Sequence, residues 1–475
     1  MYEKVAFDGR IIMLGYGSVG QCVLPVIPRH FQMPKSRITV IEAADHSATM
    51  RPFLEMGMHY HRVKLTPQNL EEMLAEHVGA GDLVINVTAG VDAISTMDWC
   101  QRQGALYVDT SLEPWAELYE NMELPPWART HYESHETIRQ FARSRWHANG
   151  PTCIVTHGAN PGIVSHFVKR ALLTIGRETG LPFTAPTTRT DWAELAMATG
   201  TKVIHIAERD TQRSALPKQP NEFVNTWSVL GYWGEAYYPA ELGWGTHEKQ
   251  MPPKGQHYIY GPGQCIYLMQ PGGQTVVRSW VPKGGPIYGL VISHSESVTL
   301  ADYFTLYEGA RPIYRPTVHY AYHPTTDAIV SLREVMMRDW LPPREERIMQ
   351  DDIVDGIDEL GVLLMGHGLG AYWYGSQLSI HEARAIVPGQ NATAVQVCAG
   401  VISAAVWAAR NPHAGFCEPE SLPHEEILTI AAPYLGPLVG VASDWTPLKH
   451  RSKMFYEPYL DLDDPWQFSN FLLRS

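Results

Sequence analysis

The first third of the chain alternates short apolar runs with stretches that suit helices. Apolar runs predict buried strands, and they lie at residues 11–14, 37–41, 58–63, 82–88, 105–110 and 152–156. Between them, residues 21–27 can continue as a helix, Thr66 and Pro67 have the form of an N-cap followed by a first helical proline, and another helix is predicted from about Thr130. Strands that alternate with helices predict a doubly wound α/β domain with a parallel sheet.

The pattern changes near residue 151. Longer irregular pieces rich in Gly, Pro and aromatic residues alternate there with strand-like runs such as 289–293. We therefore predict a first domain over residues 1–155 and a second, mixed α+β domain over 156–430. The last segment, 431–475, carries Trp466 and Phe468 and is expected to pack back on the first domain. Repeats with a period of 20–50 residues do not occur, so solenoid architectures are excluded.

A glycine motif follows the first predicted strand. It reads Gly15-Tyr16-Gly17-Ser18-Val19-Gly20 and leads into a predicted helix. Gly15 permits a tight turn, Gly17 allows the backbone to approach a pyrophosphate, and Gly20 allows close packing of helix on strand. The motif predicts a dinucleotide-binding (Rossmann) domain with the pyrophosphate at the helix N-terminus. An ordinary βαβ turn is the alternative.

Glu42 ends the next strand, about twenty residues after the glycines. A carboxylate at this place suits the two hydroxyls of an adenosine ribose and repels a 2′-phosphate. NAD, rather than NADP, is therefore the predicted cofactor.

Polar residues follow the buried strands of the first domain at the ends where a parallel sheet binds ligands. Asn86, Thr88, Asp92 and Thr110 are therefore predicted to line the cofactor crevice, and Asn160, in the turn 158–162, is expected to face the nicotinamide. A role as plain turn residues stays open for the first four.

Composition narrows the class of protein. The 37 Lys and Arg against 50 Asp and Glu give a net charge of −13, and no basic run stands out, which excludes nucleic acid as a partner. The six cysteines form no Cys-x-x-Cys pair, and the N-terminus is unlike a signal peptide. No run of about eighteen apolar residues suggests a membrane span. We expect a cytoplasmic protein without a metal site, with His131 and His135 as a surface pair.

Several acids in the second half have apolar or aromatic neighbours. They are Glu208, Glu235, Asp358 and Glu359, with His294 and Glu296 after the strand at 289–293 and Trp227 in an aromatic segment. Carboxylates combined with an indole face suit ammonium groups, through charge-assisted hydrogen bonds and cation–π attraction. The alternative is structural, with the acids neutralised by neighbours such as Arg209 and with Trp227 in the core.

Long motifs in this half resemble those of the bacterial homospermidine synthases, a family of the saccharopine-dehydrogenase-like superfamily. They lie at residues 205–213, 225–228, 240–245, 314–317, 319–324, 354–361, 372–377 and 463–468. The resemblance covers essentially the whole chain. It implies a Rossmann domain, a mixed catalytic domain that also forms a homodimer, and bound NAD.

The reaction that the resemblance implies is an aminobutyl transfer. Putrescine, or spermidine, is oxidised to an imine, a second putrescine attacks the imine carbon, ammonia or diaminopropane leaves, and the new Schiff base is reduced to sym-homospermidine. The sum is redox neutral, so the enzyme is a transferase.

The resemblance also implies residue roles. Trp227 holds the cationic centre, Glu208 stabilises positive charge and moves protons, and Glu235 and Asp358 anchor amino groups. Glu113 grasps a distal amine near the entrance, and His294 handles protons, since an imidazole can accept one near neutral pH. Glu208 and His294 are both candidates to take the proton that an ammonium must lose.

Two other functions remain open at this point. A net oxidoreductase of the saccharopine-dehydrogenase type would need Arg residues to hold a substrate carboxylate, and would accumulate NADH. A non-enzymatic NAD sensor would need the glycines but not the acids together with Trp227.

Overall fold

The computed structural model describes residues 4–119, 121, 123–451 and 457–473. Two large sheets with helices around them form the fold of the described residues, together with four two-stranded sheets. Both predicted domain types are confirmed. The strands are β1 (Val5–Ala6), β2 (Ile11–Leu14), β3 (Phe31–Gln32), β4 (Ile38–Glu42), β5 (His59–Arg62), β6 (Leu83–Asn86), β7 (Leu106–Asp109), β8 (Cys153–Ile154), β9 (Val203–Asp210), β10 (Arg213–Ser214), β11 (Glu222–Asn225), β12 (Pro239–Gly243), β13 (Gly255–His257), β14 (Cys265–Pro271), β15 (Val276–Val281), β16 (Gly285–Leu290), β17 (Leu306–Glu308), β18 (Arg311–Tyr314), β19 (Thr317–His323), β20 (Glu345–Ile348), β21 (Ile353–Asp355), β22 (Ile357–His367), β23 (Gly370–Ser379), β24 (Phe416–Cys417), β25 (Leu438–Ser443) and β26 (Leu472–Leu473). The two-stranded sheets are β1-β3, β10-β21, β11-β20 and β17-β18.

The α-helices follow the same order along the chain. They are α1 (Ser18–Val23), α2 (Ile27–His30), α3 (Ser47–Glu55), α4 (Leu70–His77), α5 (Ala93–Gln103), α6 (Ala116–Tyr119), α7 (His131–Arg145), α8 (Ile163–Glu178), α9 (Arg189–Thr199), α10 (Val229–Tyr237), α11 (Glu296–Tyr303), α12 (Thr326–Met337), α13 (Ile380–Ile386), α14 (Ala392–Arg410), α15 (His424–Ala431) and α16 (Phe468–Phe471).

The first sheet is parallel throughout, in the order β24-β8-β7-β6-β2-β4-β5. Its strands are apolar and buried, as a sheet covered on both faces requires. The strand order reverses between β2 and β6, because the chain first moves from β2 to β4 and β5 and then returns to the other side. A ligand crevice is expected at the carboxyl ends of the strands at this point.

The second sheet is mixed and has 11 strands. Its long path is β13-β14-β12-β19-β9-β22-β23-β25, and β15, β16 and β26 extend it as a branch beside β19. Strands β19 and β9 pair in parallel, whereas β22 pairs antiparallel with β9. Strand β9 therefore lies in the interior of the sheet with a partner on each side, and its residues are almost all buried.

Helix α14 joins the two sheets. It contacts β6, β7 and β8 of the first sheet and β22 and β23 of the second. After it the chain returns to the first sheet, where β24 pairs with β8. The first sheet is thus completed by residues far beyond the predicted boundary at 155, through a long-range pairing that local sequence patterns do not reveal.

Most of the C-terminal segment packs on the second sheet, although the Tyr434 hydroxyl near its start lies 2.7 Å from His30 Nε2 of the first domain. Strand β25 pairs with β23, and β26 pairs with β15. Trp466 and Phe468 lie in an apolar cluster with residues of β9, β14 and β15. The segment provides the edge strand and the large aromatic side chains that cover this face of the sheet.

Helix α4 begins later than predicted. Thr66 and Pro67 precede a turn, and the N-cap residue is Asn69. The amide oxygen of Asn69 accepts a hydrogen bond from the Thr66 N–H group. This side chain stabilises the turn in place of a helical start at Pro67. Helix α7, by contrast, begins directly after Thr130, whose hydroxyl accepts from the Glu133 N–H group as predicted for an N-cap.

His135 is buried and His131 is half-buried, so the prediction of a surface pair is wrong. His135 Nδ1 lies 2.9 Å from Glu418 Oε1, and Arg139 on the same helix pairs with both oxygens of Glu418. The first two N–H groups of α7 donate to Glu241 on β12 of the second sheet. Helix α7 is therefore held by a carboxylate at its N-terminus and by a second carboxylate on its side.

Helix α14 is long and apolar enough to cross a membrane by length and composition, but 89% of that window is buried inside the protein. Its neighbours are the two sheets, which cover it on both sides. The contacts are those of a core helix.

Gly400 on α14 allows the helix to lie against the turn after β8. A Cβ atom at this position would come within 1.9 Å of the Gly158 carbonyl oxygen. We predict that Gly400→Ala lowers the free energy of unfolding by about 2–3 kcal/mol, because the clash is with backbone and the helix must move away. Denaturant unfolding followed by far-UV circular dichroism measures the effect.

Gly79→Ala is the matched control, because a Cβ atom there would meet only the flexible end of Arg10 at 3.4 Å. Its unfolding midpoint is expected to stay close to that of the wild type. Equal midpoints for the two variants would contradict the close approach of α14 to the turn.

Candidate active site

Two cavities lie side by side at the crevice of the first sheet. The outer cavity is lined by residues that include Gly15, Gly17, Ser18, Val19, Glu42, Lys64, Thr88 and Val229. The inner cavity is lined by Val19, Val87, Thr88, Ala89, Thr110, Ser111, Glu113, Gly158, Ala159, Asn160, Pro161, Glu208, Trp227, Ser228, Gly231, Glu235, His294, Tyr320, Thr393 and Val397. Val19, Val87, Thr88, Ala89 and Ser228 line both, so the two cavities are continuous.

The glycine motif has the geometry that a dinucleotide requires. Gly15 has φ +96°, and a Cβ atom there would meet the Val87 carbonyl oxygen at 2.9 Å. At Gly20 a Cβ atom would meet the Gly15 carbonyl oxygen at 2.5 Å, which explains the close packing of α1 on β2. The space over Gly17 is open, and Gly17 lines the outer cavity. The outer cavity therefore fits a dinucleotide, with the backbone of residue 17 exposed to the pyrophosphate.

Glu42 projects into the same cavity from the end of β4. Its Oε2 accepts a hydrogen bond from the Tyr16 N–H group at 2.7 Å, and its Oε1 accepts from the Ala44 N–H group at 2.8 Å. These contacts fix a negative charge at the ribose end of the cleft, which favours a ribose with free hydroxyls over a 2′-phosphate.

Of the four residues expected in the cofactor crevice, Thr88 lines both cavities, Thr110 lines the inner one, and Asn86 and Asp92 line neither. The Asn86 oxygen accepts from the hydroxyl and the N–H group of Thr88, and its amide donates to Tyr107. The Asp92 carboxylate caps α5 through the Ser95 N–H group. Both side chains hold the turns around the crevice, so the alternative of a turn residue applies to them.

Asn160 connects the turn after β8 to the second sheet. The turn is closed by a hydrogen bond from the Gly158 N–H group to the Pro161 carbonyl, and Gly162 has φ +125°. The Asn160 amide nitrogen donates to Glu208 Oε2 at 2.6 Å and lies at the same distance from the Tyr320 hydroxyl. The turn therefore places a polar side chain where the cofactor cavity meets the inner cavity.

Glu208 lies on β9, and all its described hydrogen bonds end on one oxygen. Asn160 and the Tyr320 hydroxyl both donate to Oε2. Burial raises the pKa of Glu208 to about 7, the hydrogen bond from Tyr320 lowers it, and the nearby charge of Asp210 raises it. A carboxylate with a pKa near neutrality, with Oε1 facing a cavity, can accept and release a proton at the working pH.

Glu235 and His294 form the opposite wall. His294 Nε2 lies 3.7 Å from Glu235 Oε2, and His294 Nδ1 lies 2.5 Å from Glu296 Oε2. Burial raises the pKa of Glu235 to about 8, although His294 acts to lower it. Glu235 Oε2 is buried and makes no hydrogen bond to a described residue, and its ionic neighbour is His294. A carboxyl group of this kind can still accept from a substrate ammonium group.

We expected the imidazole of His294 to take up a proton near neutral pH, but the structure gives it a higher pKa. Burial lowers its pKa, but Glu296 and Glu235 outweigh that effect and raise the pKa to about 9. An imidazole with this pKa already carries the proton at pH 7, which leaves Glu208 as the candidate acceptor.

Trp227 lines the inner cavity with its ring held from behind. The indole Nε1 donates to the Tyr322 hydroxyl at 3.2 Å, and the Tyr232 ring lies 5.6 Å away. Within the described part of the chain, no Lys or Arg side chain lies over this ring. The indole face is thus available to a cation in the cavity.

Asp358 lies behind the wall of the inner cavity. Its Oδ2 accepts a hydrogen bond from the hydroxyl of Thr393 at 2.6 Å, and Thr393 lines the cavity in its place. Asp358 was predicted to anchor an amino group directly. It does not line the cavity and instead lies behind Thr393, which does. Glu113 does line the cavity, where its Oε1 accepts from the Ser111 hydroxyl at 2.8 Å.

The charge of the inner cavity distinguishes between substrate classes. Its lining has three carboxyl groups and one histidine, and among the described residues that line it none is Lys or Arg. A substrate carboxylate would lack a cationic partner here, whereas ammonium groups would find several acceptors. Groups of three or more His, Cys, Asp or Glu side chains able to hold a metal ion do not occur among the described residues.

Comparison with known proteins places this arrangement in a class. The family model for the saccharopine dehydrogenase NADP binding domain matches residues 11–154, and the model for the saccharopine dehydrogenase C-terminal domain matches residues 158–442. The fold and the paired cavities are those of an enzyme of the saccharopine dehydrogenase class.

Full-length relatives narrow the class. The homospermidine synthase of Blastochloris viridis is 45% identical, with 100% of this chain and 99% of that protein covered. The homospermidine synthase of Mesorhizobium japonicum is 44% identical, with 98% and 96% covered. The crystal structure of homospermidine synthase from Legionella pneumophila in complex with NAD has a TM-score of 0.92 and 42% identity, with 99% of both chains covered. The chain belongs to the homospermidine synthase family.

Three polar side chains of the site were not singled out from the sequence. Tyr320 and Thr393 line the inner cavity, and Asp210 lies behind Glu208. A signal for Asp210 was present, because residues two apart on a strand share a face and Glu208 is a candidate. Tyr320 lies in one of the motifs that carry the resemblance. Nothing local distinguishes Thr393, at the start of a core helix.

The contribution of Glu42 to cofactor choice is testable. We predict that Glu42→Gln lowers the preference for NADH over NADPH by about tenfold, since removing one charge near a bound phosphate is worth on the order of 1 kcal/mol or more. The ratio of the two dissociation constants, from fluorescence titration, gives the effect.

Glu55→Gln is the control, because Glu55 is an exposed carboxylate on α3 that pairs with Arg51. It should leave the ratio unchanged. An unchanged ratio in Glu42→Gln as well would remove Glu42 from the ribose site.

Proposed function

We propose that the protein catalyses the NAD-dependent transfer of an aminobutyl group from putrescine or spermidine to putrescine, giving sym-homospermidine. The observation that carries this proposal is the charge of the inner cavity. Glu113, Glu208 and Glu235 line it together with the Trp227 ring, without an Arg or Lys among the described lining residues. A diamine with two ammonium groups complements this wall.

NAD, when bound, supplies the acceptor and later the donor of the hydride that interconverts amine and imine. We assign its binding to the outer cavity, with residues Gly15, Gly17, Ser18 and Val19 at the pyrophosphate and Glu42 at the ribose. Thr88 and Asn160 lie where the two cavities meet. Their positions support a nicotinamide oriented towards the inner cavity.

Glu208 takes the proton that the reacting ammonium group must lose. An ammonium nitrogen has no lone pair, so it can neither be oxidised to an imine nor attack one until it is deprotonated. Glu208 Oε1 is the oxygen available for this transfer, because the donors Asn160 and Tyr320 both bind Oε2. The pKa of Glu208 near 7 allows the same carboxyl group to return the proton to the leaving amine.

Trp227 and Glu235 hold the positive charges that remain. The open face of the indole stabilises an iminium centre, which contributes on the order of 1–2 kcal/mol in a site without water. Glu235 binds an amino group at the far wall, His294 orients the Glu235 carboxyl group, and Glu113 receives the distal amine. Enclosure of the cavity between the two sheets limits access of water, which would hydrolyse the imine to an aldehyde.

The homodimer and the cytoplasmic location that the sequence suggested remain predictions. Putrescine and related polyamines are the proposed partners of the inner cavity.

Incubation with putrescine and a catalytic amount of NAD tests the function. We expect homospermidine and ammonia by chromatography, without net formation of NADH in the absorbance of the reduced nicotinamide. NADH in amounts equal to an aldehyde product would identify a net oxidoreductase instead. A lack of turnover with every diamine tested would favour a role as an NAD sensor.

We predict that binding of a diamine releases a proton from Glu235. At pH 7 the buried carboxyl group is largely protonated, because its pKa is raised to about 8, and a bound ammonium group stabilises the ionised form. Titration calorimetry of putrescine with the NADH-bound enzyme, in buffers of different ionisation enthalpy, should show this release at pH 7. The release should decline as the pH rises through 8, where Glu235 ionises without ligand.

Glu235→Gln should lose most of this proton release, and Glu55→Gln, which changes an exposed carboxylate, should keep it. Binding heats that are independent of the buffer in the wild type would contradict the proposed state of Glu235.

A further inference from the structure

We propose that Asp210 and Tyr320 are positioning residues for Glu208, acting on its carboxylate in opposite directions to set the pH at which it accepts a proton from the bound amine. The inference rests on the proposed function, in which Glu208 is the proton acceptor. It adds two residues to the reaction, one behind the cavity wall and one in it.

Strand geometry places Asp210 beside Glu208. Residues two apart on a strand point to the same face, so both carboxylates project from one face of β9, with Glu208 in the wall of the inner cavity and Asp210 behind it, near Thr393 of α14. Asp358 on β22 lies directly opposite Asp210 in the antiparallel register, and Leu360 lies opposite Glu208. Glu208 therefore has a buried carboxylate as its next neighbour along the strand, and a second one diagonally across.

The hydrogen bonds of Asp210 keep a negative charge at this place. Its Oδ1 accepts from the Gln212 N–H group at 2.9 Å and from the Gln212 side-chain amide, and its Oδ2 accepts from the Thr226 hydroxyl at 2.8 Å. The Thr393 hydroxyl lies 3.4 Å from Oδ2, but it donates its one proton to Asp358 at 2.6 Å. Burial raises the pKa of Asp210 and these donors lower it. Because Asp210 receives more donors than Asp358, it is the member of the pair that holds the negative charge.

Asp358 is in the opposite state. Burial and the charges of Glu208 and Asp210 raise its pKa well above the usual range, and one described hydrogen bond, from Thr393, reaches its side chain. The cross-strand pair therefore carries one negative charge in all, on Asp210. That charge disfavours ionisation of Glu208 and raises its affinity for a proton.

Tyr320 acts in the other direction. Its hydroxyl donates to Glu208 Oε2, which stabilises the ionised carboxylate, and it leaves Oε1 free for the amine. The ring stacks on Tyr322 at a centroid distance of 5.1 Å and lies 4.6 Å from His294. Packing on both sides fixes the hydroxyl in place.

The other charged or titratable groups that face Glu208 are few. Three such groups lie on neighbouring elements. His294 favours the ionised form of Glu208, and Glu235, across the cavity, opposes it by like-charge repulsion when it is ionised. Tyr322 lies opposite Glu208 on β19 and remains a neutral phenol because burial raises its pKa. Asn160 adds a neutral donor. Arg209 and Glu359 pair with each other at 3.4 Å on the other face of the sheet.

The step itself is a proton transfer. The ammonium R–NH3+ and the Glu208 carboxylate become the amine R–NH2 and a neutral carboxyl group, with the proton moving from nitrogen to Oε1. No electrons change hands in this step. The lone pair left on nitrogen is the one that the following oxidation or attack requires.

The pH dependence of kcat/KM for homospermidine formation tests the inference. Asp210→Asn should move the acidic limb to lower pH by about one pH unit, because a neighbouring negative charge is lost. Tyr320→Phe should move it to higher pH, because the ionised form loses a hydrogen bond. The Asn side chain can keep the contacts of Asp210, since the hydroxyls of Thr226 and Thr393 can rotate to accept from its amide.

Matched controls come from the same strands. Tyr322→Phe removes the hydroxyl of the stacked neighbour, and Glu359→Gln removes a buried carboxylate on the opposite face. Each should leave the position of the limb unchanged, whatever its effect on rate. The inference would be overturned if Asp210→Asn and Tyr320→Phe moved the limb in the same direction, or if neither variant moved it. If Asp210→Asn fails to fold, an unmoved limb in Tyr320→Phe is sufficient to overturn it.

Infrared spectroscopy separates this inference from the proposed reaction. The carboxyl band of Glu208, obtained as the difference between each protein and its counterpart with Glu208→Gln, can be titrated without substrate. We expect the same opposite displacements there. Their presence in a protein that makes no homospermidine would reject the reaction and keep the pairing of Asp210 and Tyr320 with Glu208, whereas their absence in an active enzyme would reject the pairing alone.

Discussion

Carboxylates buried without matching cations are the constraint on which this site depends. Glu208, Asp210 and Asp358 lie on two neighbouring strands in the interior of the second sheet, and Glu235 lies across the cavity from them. Removing a charged carboxylate from water is costly unless a partner compensates it. Hydroxyl, amide and N–H donors compensate part of this cost. Several of the acids also have raised pKa values, so they avoid part of the cost by remaining protonated. A substrate that carries ammonium groups supplies the remaining positive charge.

The same constraint explains why the two domains are closely joined. Hydrogen-bond donors from different parts of the fold stabilise the buried acids. Asn160, in the turn after β8, and Tyr320 of β19 donate to Glu208, and Thr393 of α14 donates to Asp358. Gly400 allows α14 to approach that turn, because no side chain stands between them. The contacts that unite the two sheets thus also orient the carboxylates. The outer and inner cavities share a wall for this reason.

Much of the fold followed from local patterns. Six of the seven strands of the first sheet, the glycine turn, Glu42 at the end of β4 and the start of a helix near Thr130 were predicted correctly, since each depends on a short stretch of chain. The errors have long-range causes. His135 is buried against Glu418, and the backbone of His131 is bound by Glu241 of β12. The C-terminal strands pair with β15 and β23, and nothing local to those strands signals the pairing.

Within the site, residue type was easier to predict than residue role. The sequence indicated Glu208, Trp227, Glu235 and Asn160, and all four line one cavity. It did not show that Asp358 lies behind Thr393, or that Asn86 and Asp92 hold turns, because these roles depend on where a side chain points. It also left two candidates for the proton acceptor. The contact of His294 with Glu296 decides between them, and only the structure brings those two side chains to within 2.5 Å of each other.

The central claim is that one enclosed site oxidises an amine and reduces the resulting imine before either can exchange with solvent. Putrescine deuterated at both carbons that bear nitrogen tests it most directly, with mass spectrometry of the homospermidine formed in ordinary water. The account predicts that the product retains every deuteron, because the one removed from the donor carbon is returned to the same substrate within a single turnover. Loss of deuterium from the product, or its appearance in added unlabelled NAD at the rate of turnover, would contradict it.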